Sequence, residues 1–377
     1  MPPPHLDLRG AAPERFAAAL AAFQRHFAED LELGAGLAVA VDGEILLDVT
    51  AGWADRARTQ SFDARTLVPL FSTSKAIASL LIAAAVDRGL LDYDQPLSEL
   101  WPAFAQAGKD RLTLAEVLSH QAGLSGPAEP IDPETWFDWD ATCAWLAAQR
   151  PLWPPTSASG YGPVTFGYLA GEAFRRVDLR GMGAALREDF AEPLELDLAF
   201  GAADADLPRV AELMRPTRST DFGEINAATR AAFVTKGAAV NARDPRYRSM
   251  AIPSINAHGT AAALARLFSI VACDGRLDGR TWVSPEVLTE ATRERIAGPD
   301  LVLPHVMSWA AGFTRGGPEG VFGPNPEAVG HWGWGGSVAF ADRQRRLSMA
   351  YVMNRQGPFL VKDPRPMRLI EAVYAGL

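Results

Sequence analysis

The chain has 377 residues, 48% of them hydrophobic, and a formal net charge of −9. That length and composition allow a large buried core in one large or two interleaved domains, which excludes a disordered or fibrous protein. The negative charge is spread without an acidic tail, and no Lys/Arg run is interleaved with aromatics, which argues against a nucleic-acid partner.

Met1 is followed by P-P-P-H-L-D-L-R-G, which has neither the basic start nor the apolar core of a signal peptide, so a cytoplasmic protein is expected. Pro13 to Asp30 places Phe16, Leu20, Phe23 and Phe27 at helical intervals. The run G-L-A-V-A-V-D-G-E-I-L-L-D-V-T-A-G then reads as a hairpin turning at Asp42-Gly43.

F-S-T-S-K, Phe71 to Lys75, opens the apolar helical stretch Ala76 to Val86. That stretch stops at Asp87-Arg88-Gly89, short of the eighteen or so residues of a membrane span. Ser72 and Lys75 stand three apart, on one helix face, and a serine hydroxyl needs a base in reach to become a nucleophile. Two readings stand: an activated nucleophile with its base, or a helix N-cap followed by a solvated lysine. A lysine in the first turn opposes the helix dipole, which weighs for the first reading and would depress the lysine pKa.

From Leu90 to Ile255 helical periodicity dominates, at Leu112 to Ser119, Trp136 to Arg150, Val164 to Val177 and Gly183 to Phe190. Residues 91–255 are therefore expected to form a mainly helical subdomain inserted into an α/β domain of 1–90 and 256–377. Met214 to Pro253 lacks periodicity and is expected to cover a site. Cys143 and Cys273 are expected to be free thiols.

Tyr161 lies in the glycine-flanked loop S-A-S-G-Y-G-P-V, which is expected to leave its phenol exposed. Beside two cations it would be partly a phenolate and could carry a proton to a leaving atom; a packing or surface tyrosine is the alternative. Tyr93 and Tyr168 read as structural. Gly330 to Asp342, G-H-W-G-W-G-G-S-V-A-F-A-D, reads either as a close-approaching strand that supplies an oxyanion donor or as a twisted edge strand. Ser337 to Ala341 and Leu347 to Met353 read as strands and Arg365 to Ala375 as a terminal helix. Together with the N-terminal hairpin they predict an antiparallel sheet flanked by helices and built from both chain ends. The six histidines are scattered without metal-ligand spacing, so neither a metal nor a cofactor is expected.

Five segments, F-S-T-S-K, L-T-L-A-E-V-L-S-H-Q-A-G-L, the Tyr161 loop, N-A-H-G-T-A and G-H-W-G-W-G-G-S, occur in an order and spacing that resembles the serine β-lactamase and penicillin-recognising superfamily. Within it the chain is most similar to the class C-related branch known as family VIII carboxylesterases, over nearly its whole length from Leu37. The resemblance implies a class C β-lactamase-like fold, Ser72 as the acylated nucleophile, Lys75 as its base and Tyr161 as the proton relay. It also implies oxyanion donors at the N–H groups of Ser72 and Trp334, and substrate contacts at His331, Trp332, Gly333, Asn256 and His258. His120, which closes a helix, reads as a cap.

Two departures bear on the substrate. Pro163 stands where lactamases have an asparagine, and His331-Trp332-Gly333 stands where they have lysine-threonine-glycine. Both losses favour small neutral esters over β-lactams, with Trp309, Phe313, Trp332 and Trp334 expected to make a narrow aromatic acyl pocket for short chains. The rival readings are a β-lactamase or D-amino acid peptidase with the same residues, and a non-catalytic binding protein of the same fold. Neither a membrane nor a nucleic-acid partner is expected, and the oligomeric state is not set by the sequence.

Overall fold

The computed structural model describes residues 7–242 and 244–377. Its centre is a nine-stranded antiparallel sheet drawn from both ends of the chain. In spatial order the strands are Arg9–Ala11, Glu44–Gly52, Gly34–Val41, Leu347–Met353, Val338–Asp342, Val329–Trp332, Thr314–Arg315, Val306–Trp309 and Ile296–Pro299. The hairpin turns where the sequence predicts, with Asp42 and Gly43 both left-handed (φ 53° and 83°), as a two-residue type I′ turn requires. Beside it Leu347–Met353 runs antiparallel, placing Leu347 opposite Val41 and Met353 opposite Ala35.

Side-chain alternation gives the sheet two unlike faces. Ala38, Ala339, Ala341, Ala350 and Val352 belong to the core that holds the alanine-rich helix Ala261–Ala272, and these small residues let that helix lie close. Leu37, Val39, Phe340, Met349 and Tyr351 point the other way, into a core with Phe23, Leu369 and Val373 of the two terminal helices, Ala17–Ala28 and Pro364–Tyr374.

The helix Ser74–Asp87 is apolar around its whole circumference, and its residues 74–85 are all buried. A helix with no polar face belongs inside the protein. It packs against the helices Thr165–Arg175, Pro285–Thr292 and Gly181–Leu186. Entry to it is set by the strand Val68–Pro69, which pairs with Ala257–Gly259 in a three-stranded sheet completed by Leu198–Phe200.

Three predicted helices between residues 91 and 255 appear with trimmed ends, Leu114–Leu118, Trp139–Ala148 and Thr165–Arg175; the fourth starts earlier than expected, at Gly181–Leu186, and runs into a π turn at Arg187–Ala191. Met214 to Pro253 holds only short helical pieces. The strands Ile296–Pro299, Val306–Trp309 and Thr314–Arg315 were not read from the sequence, because two to four residues are too few for alternation to show. Cys143 and Cys273 are buried free thiols. Among the described residues no helix is long and apolar enough to cross a membrane.

The unlike faces predict opposite tolerances at neighbouring positions. Ala350→Leu forces a side chain against the helix Ala261–Ala272 and should cost about 1–3 kcal/mol, whereas Met349→Leu should cost under about 1.5 kcal/mol. Urea unfolding of the two variants checks this; equal losses would contradict the packing described.

Candidate active site

The chain leaves Val68–Pro69 and turns sharply at Phe71, whose φ of 47° is uncommon for a residue with a side chain. Phe71–Thr73 then makes a single 3₁₀ turn into the helix Ser74–Asp87. Ser72 is thus not the N-cap: Thr73 holds that position, and it makes no side-chain cap bond. The Ser72 hydroxyl faces a buried polar cluster instead.

Lys75 is fully buried. Its Nζ lies 3.0 Å from Ser72 Oγ, 2.8 Å from the Pro163 carbonyl oxygen and 3.1 Å from the Ser254 carbonyl oxygen. Burial pushes the Lys75 pKa well below the ordinary lysine range. In the uncharged form that burial favours, the two carbonyls would accept the two N–H groups and leave the lone pair for Ser72.

Tyr161 donates its hydroxyl to Ser72 Oγ at 2.5 Å. Two expectations about it are corrected. Tyr161 is buried (4% exposed), because its ring lies parallel to Trp309 with centroids 5.9 Å apart and edge-on to His120. It is also not a phenolate: burial pushes its pKa well up, outweighing the hydrogen bond it makes to Ser72, and the nearby Asp300 carboxylate pushes it the same way. The protonated phenol is a donor, and Ser72 Oγ sits between a proton source and a proton acceptor.

Tyr161 is held by residues with no recognisable motif. Asp300 Oδ1 accepts the N–H groups of Tyr161, Val302 and Leu303 at 3.0, 2.9 and 3.1 Å. Its Oδ2 accepts Ser159 Oγ at 2.9 Å and Trp309 Nε1 at 3.1 Å. One carboxylate therefore fixes both the loop of Tyr161 and the indole stacked on its ring. On the other side the Gly162 N–H donates to His120 Nδ1 at 3.2 Å. The capping expectation for His120 holds for its backbone, left-handed at φ 63°: its N–H and that of Gln121 donate to the Val117 and Glu116 carbonyls. Its side chain belongs to the site.

The turn after the strand Val329–Trp332 completes the cluster. A Cβ on Gly333 would stand 2.0 Å from Ser337 Oγ and 2.3 Å from the Leu70 carbonyl oxygen, so only glycine lets this strand meet the nucleophile turn. Ser337 Oγ donates to that Leu70 carbonyl at 2.9 Å and lies 3.1 Å from Thr73 Oγ1, tying the two segments together. Gly333 serves close approach and does not line the cavity. Among the described residues neither the Ser72 N–H nor the Trp334 N–H donates to another group of the chain. Trp334 packs its ring edge-on against Phe71, 5.8 Å between centroids.

A cavity of about 260 Å³ opens over Ser72. Trp309, Trp332 and Trp334 line it, with apolar residues such as Phe222, Phe233 and Val240 from the Met214 to Pro253 segment and Met307 and Leu360. No charged side chain lines it among the described residues. His331 does, but its Nδ1 donates to the Trp332 carbonyl at 2.7 Å, and chiefly burial pushes its pKa down to about 3. It is uncharged at neutral pH and cannot replace the lysine of a lactamase as a cation.

Besides Gly333, three expected contacts are absent from the cavity lining. Asn256 is fully buried, its amide spent on the Ile252 N–H and the Tyr247 and Met250 carbonyls; it ties a loop. His258 lies in the three-stranded sheet, with Nδ1 2.9 Å from the Asn256 carbonyl oxygen. Phe313 is buried in the core below the cavity.

A serine whose hydroxyl is shared by a buried amine and a buried phenol, beneath an apolar cleft, defines a serine hydrolase built for acyl transfer. The family model described as Beta-lactamase matches residues 23–372, and the chain belongs to that family. It is similar over 98% of its length to the whole of a penicillin-binding protein homologue from Caulobacter crescentus, with 56% identity and a TM-score of 0.96. It is likewise similar, over 98% of its length, to the whole of a family VIII carboxylesterase, with 36% identity and a TM-score of 0.92. The esterase/β-lactamase LipL of Mycobacterium tuberculosis is 35% identical over 372 residues, 94% of this chain and 85% of that protein. The protein is a hydrolase of this serine β-lactamase and esterase group.

Two predictions follow from the geometry. Asp300→Ala frees the Tyr161 loop and should lower kcat by about 10²-fold while Ser72 still forms an acyl adduct slowly; stopped-flow acylation with an activated ester separates the two. Because Lys75 acts only when neutral, kcat/KM should fall as pH drops through its depressed pKa and be flat above it. A pH profile whose midpoint lies in the ordinary lysine range would contradict the buried-amine description.

Proposed function

We propose that this protein is a carboxylesterase that hydrolyses small, neutral carboxylic esters through an acyl-enzyme on Ser72. The observation that carries this reading is the apolar cavity over a Ser72–Lys75–Tyr161 cluster, lined by no charged side chain among the described residues. A β-lactam carries a carboxylate, and desolvating it in such a cavity without a partner would be costly. His331 offers no charge, and Pro163 contributes its carbonyl to Lys75 in place of a side-chain amide.

In the proposed reaction Ser72 Oγ attacks the ester carbonyl as its proton passes to Lys75 Nζ. The N–H groups of Ser72 and Trp334 hold the oxyanion in a site of low dielectric, where such donors are strongest. Collapse breaks the bond to the alkoxide, which takes the proton of Tyr161, and the Lys75 ammonium restores it. Both groups lie within hydrogen-bond reach of one oxygen, so the proton has a short path. A water then attacks the acyl carbonyl, giving its proton to Lys75, and Ser72 leaves with a proton in return. The names of the family VIII carboxylesterase and of LipL support ester chemistry. We also infer a cytoplasmic location from the two unpaired cysteines; fractionation outside the cytoplasm would overturn it.

The test is turnover of nitrophenyl esters of increasing chain length beside a chromogenic cephalosporin, with wild type and Ser72→Ala. Short-chain esters should be hydrolysed fastest and Ser72→Ala should lose about 10³-fold or more in kcat. Cephalosporin turnover that outpaces the esters would favour a β-lactamase, and equal ester rates in the two proteins would remove Ser72 from the mechanism.

A further inference from the structure

Behind the turn that carries Trp334 lies a buried ionic cluster that the reaction above does not use. Arg365, Glu32 and Asp363 are 6%, 5% and 1% exposed. Arg365 donates from Nη1 to Glu32 at 2.8 Å, and from Nε and Nη2 to the two oxygens of Asp363 at 3.1 and 2.8 Å. Glu32 also accepts the Tyr351 hydroxyl. Two carboxylates hold the guanidinium plane, and its remaining reach goes to backbone: Nη1 to the Arg355 carbonyl at 2.8 Å and Nη2 to the Gly335 carbonyl at 2.6 Å.

That last bond connects to the oxyanion donor through peptide planarity. In a trans peptide the C=O and N–H point in opposite directions. Arg365 holds the Gly335 carbonyl, which directs the Gly336 N–H of the same peptide the other way, onto the Gly333 carbonyl at 3.1 Å. With the Gly333 carbonyl held there, the Trp334 N–H of that peptide points in the reverse direction, away from the turn. The peptide between Trp334 and Gly335 is held at both ends, on opposite sides: the Trp334 carbonyl accepts Gln356 Nε2 at 3.2 Å, and the Gly335 N–H donates to the Phe359 carbonyl at 3.0 Å. There is no space for slack, since a Cβ on Gly336 would stand 2.8 Å from Arg365 Nη2.

We propose that Arg365, clamped between Glu32 and Asp363, is the positioning residue that aims the Trp334 N–H at the oxyanion. The inference rests on the serine-esterase reading of the site. An arginine is needed because a rigid planar fork with five N–H groups bonds two carboxylates and two backbone carbonyls at once, whereas a lysine ammonium meets the charge with only three donors.

The test is Arg365→Lys, with Asp363→Asn as a milder second variant in case the first does not fold. Each is assayed for ester kinetics and for affinity toward an aryl boronic acid, whose tetrahedral adduct with Ser72 places an oxygen at the oxyanion position. The expected result is a kcat lowered about 10-fold, KM within about twofold, and boronic-acid affinity lowered in parallel with kcat, in a protein that still melts cooperatively. Unchanged kcat and boronic-acid affinity in a folded variant overturns the proposal, as does a fall in kcat with boronic-acid affinity intact. Ester turnover retained by Ser72→Ala would instead sink the reading on which it rests, so the two failures are distinguishable.

Discussion

An amine buried without a carboxylate to pair with is the constraint on which this structure turns. Lys75 sits in a buried helix, and among the described residues its Nζ hydrogen-bonds two carbonyls and the hydroxyl of Ser72 and otherwise faces the rings of Tyr161 and Phe166. A paired lysine would keep its proton, and an exposed one would titrate too high to act as a base near neutrality. Desolvation by the packed core therefore converts an ordinary cation into a proton acceptor, and the carbonyls of Pro163 and Ser254 orient its lone pair.

The same exclusion of water sets the character of the neighbours. Tyr161 keeps its proton and His331 stays uncharged, both because burial disfavours their ionised forms. The side chains that hydrogen-bond the reacting serine are thus groups whose charged forms burial disfavours, and the nearest carboxylate the site uses, Asp300, is taken up by backbone and indole donors. In so dry a site a small angular error in an N–H donor matters more than it would in water. That is why carboxylates remote from the chemistry, Asp300 on one side and the Glu32–Asp363 pair on the other, are spent on fixing backbone.

Much of the architecture was legible in the chain. The Asp42-Gly43 turn, the last two long strands and the terminal helix leave local signatures, since turn dihedrals and side-chain periodicity depend on neighbours in sequence. Ser72 and Lys75 were legible for the same reason, being one helical turn apart. The loop of Tyr161 marks it in the sequence, but its burial and protonation are not legible there, because both depend on Trp309 and His120, which come from distant segments. Asn256 and His258 stood in a recognisable segment, yet their polar atoms are taken up by nearby backbone, a fact that no pattern of residue types displays. Asp300 and Arg365 lay outside every motif, because an aspartate that gathers five donors looks like any other until the donors are assembled.

What the sequence by itself determined is therefore the set of local elements, the serine–lysine pairing and the loss of a lactamase's fixed cation at His331. The tertiary structure alone decided the protonation states, the uncharged lining of the cavity and the direction of the Trp334 N–H. The reason is physical: periodicity and turn chemistry act over a few residues, whereas desolvation and hydrogen-bond geometry are sums over whatever the fold brings within a few ångströms.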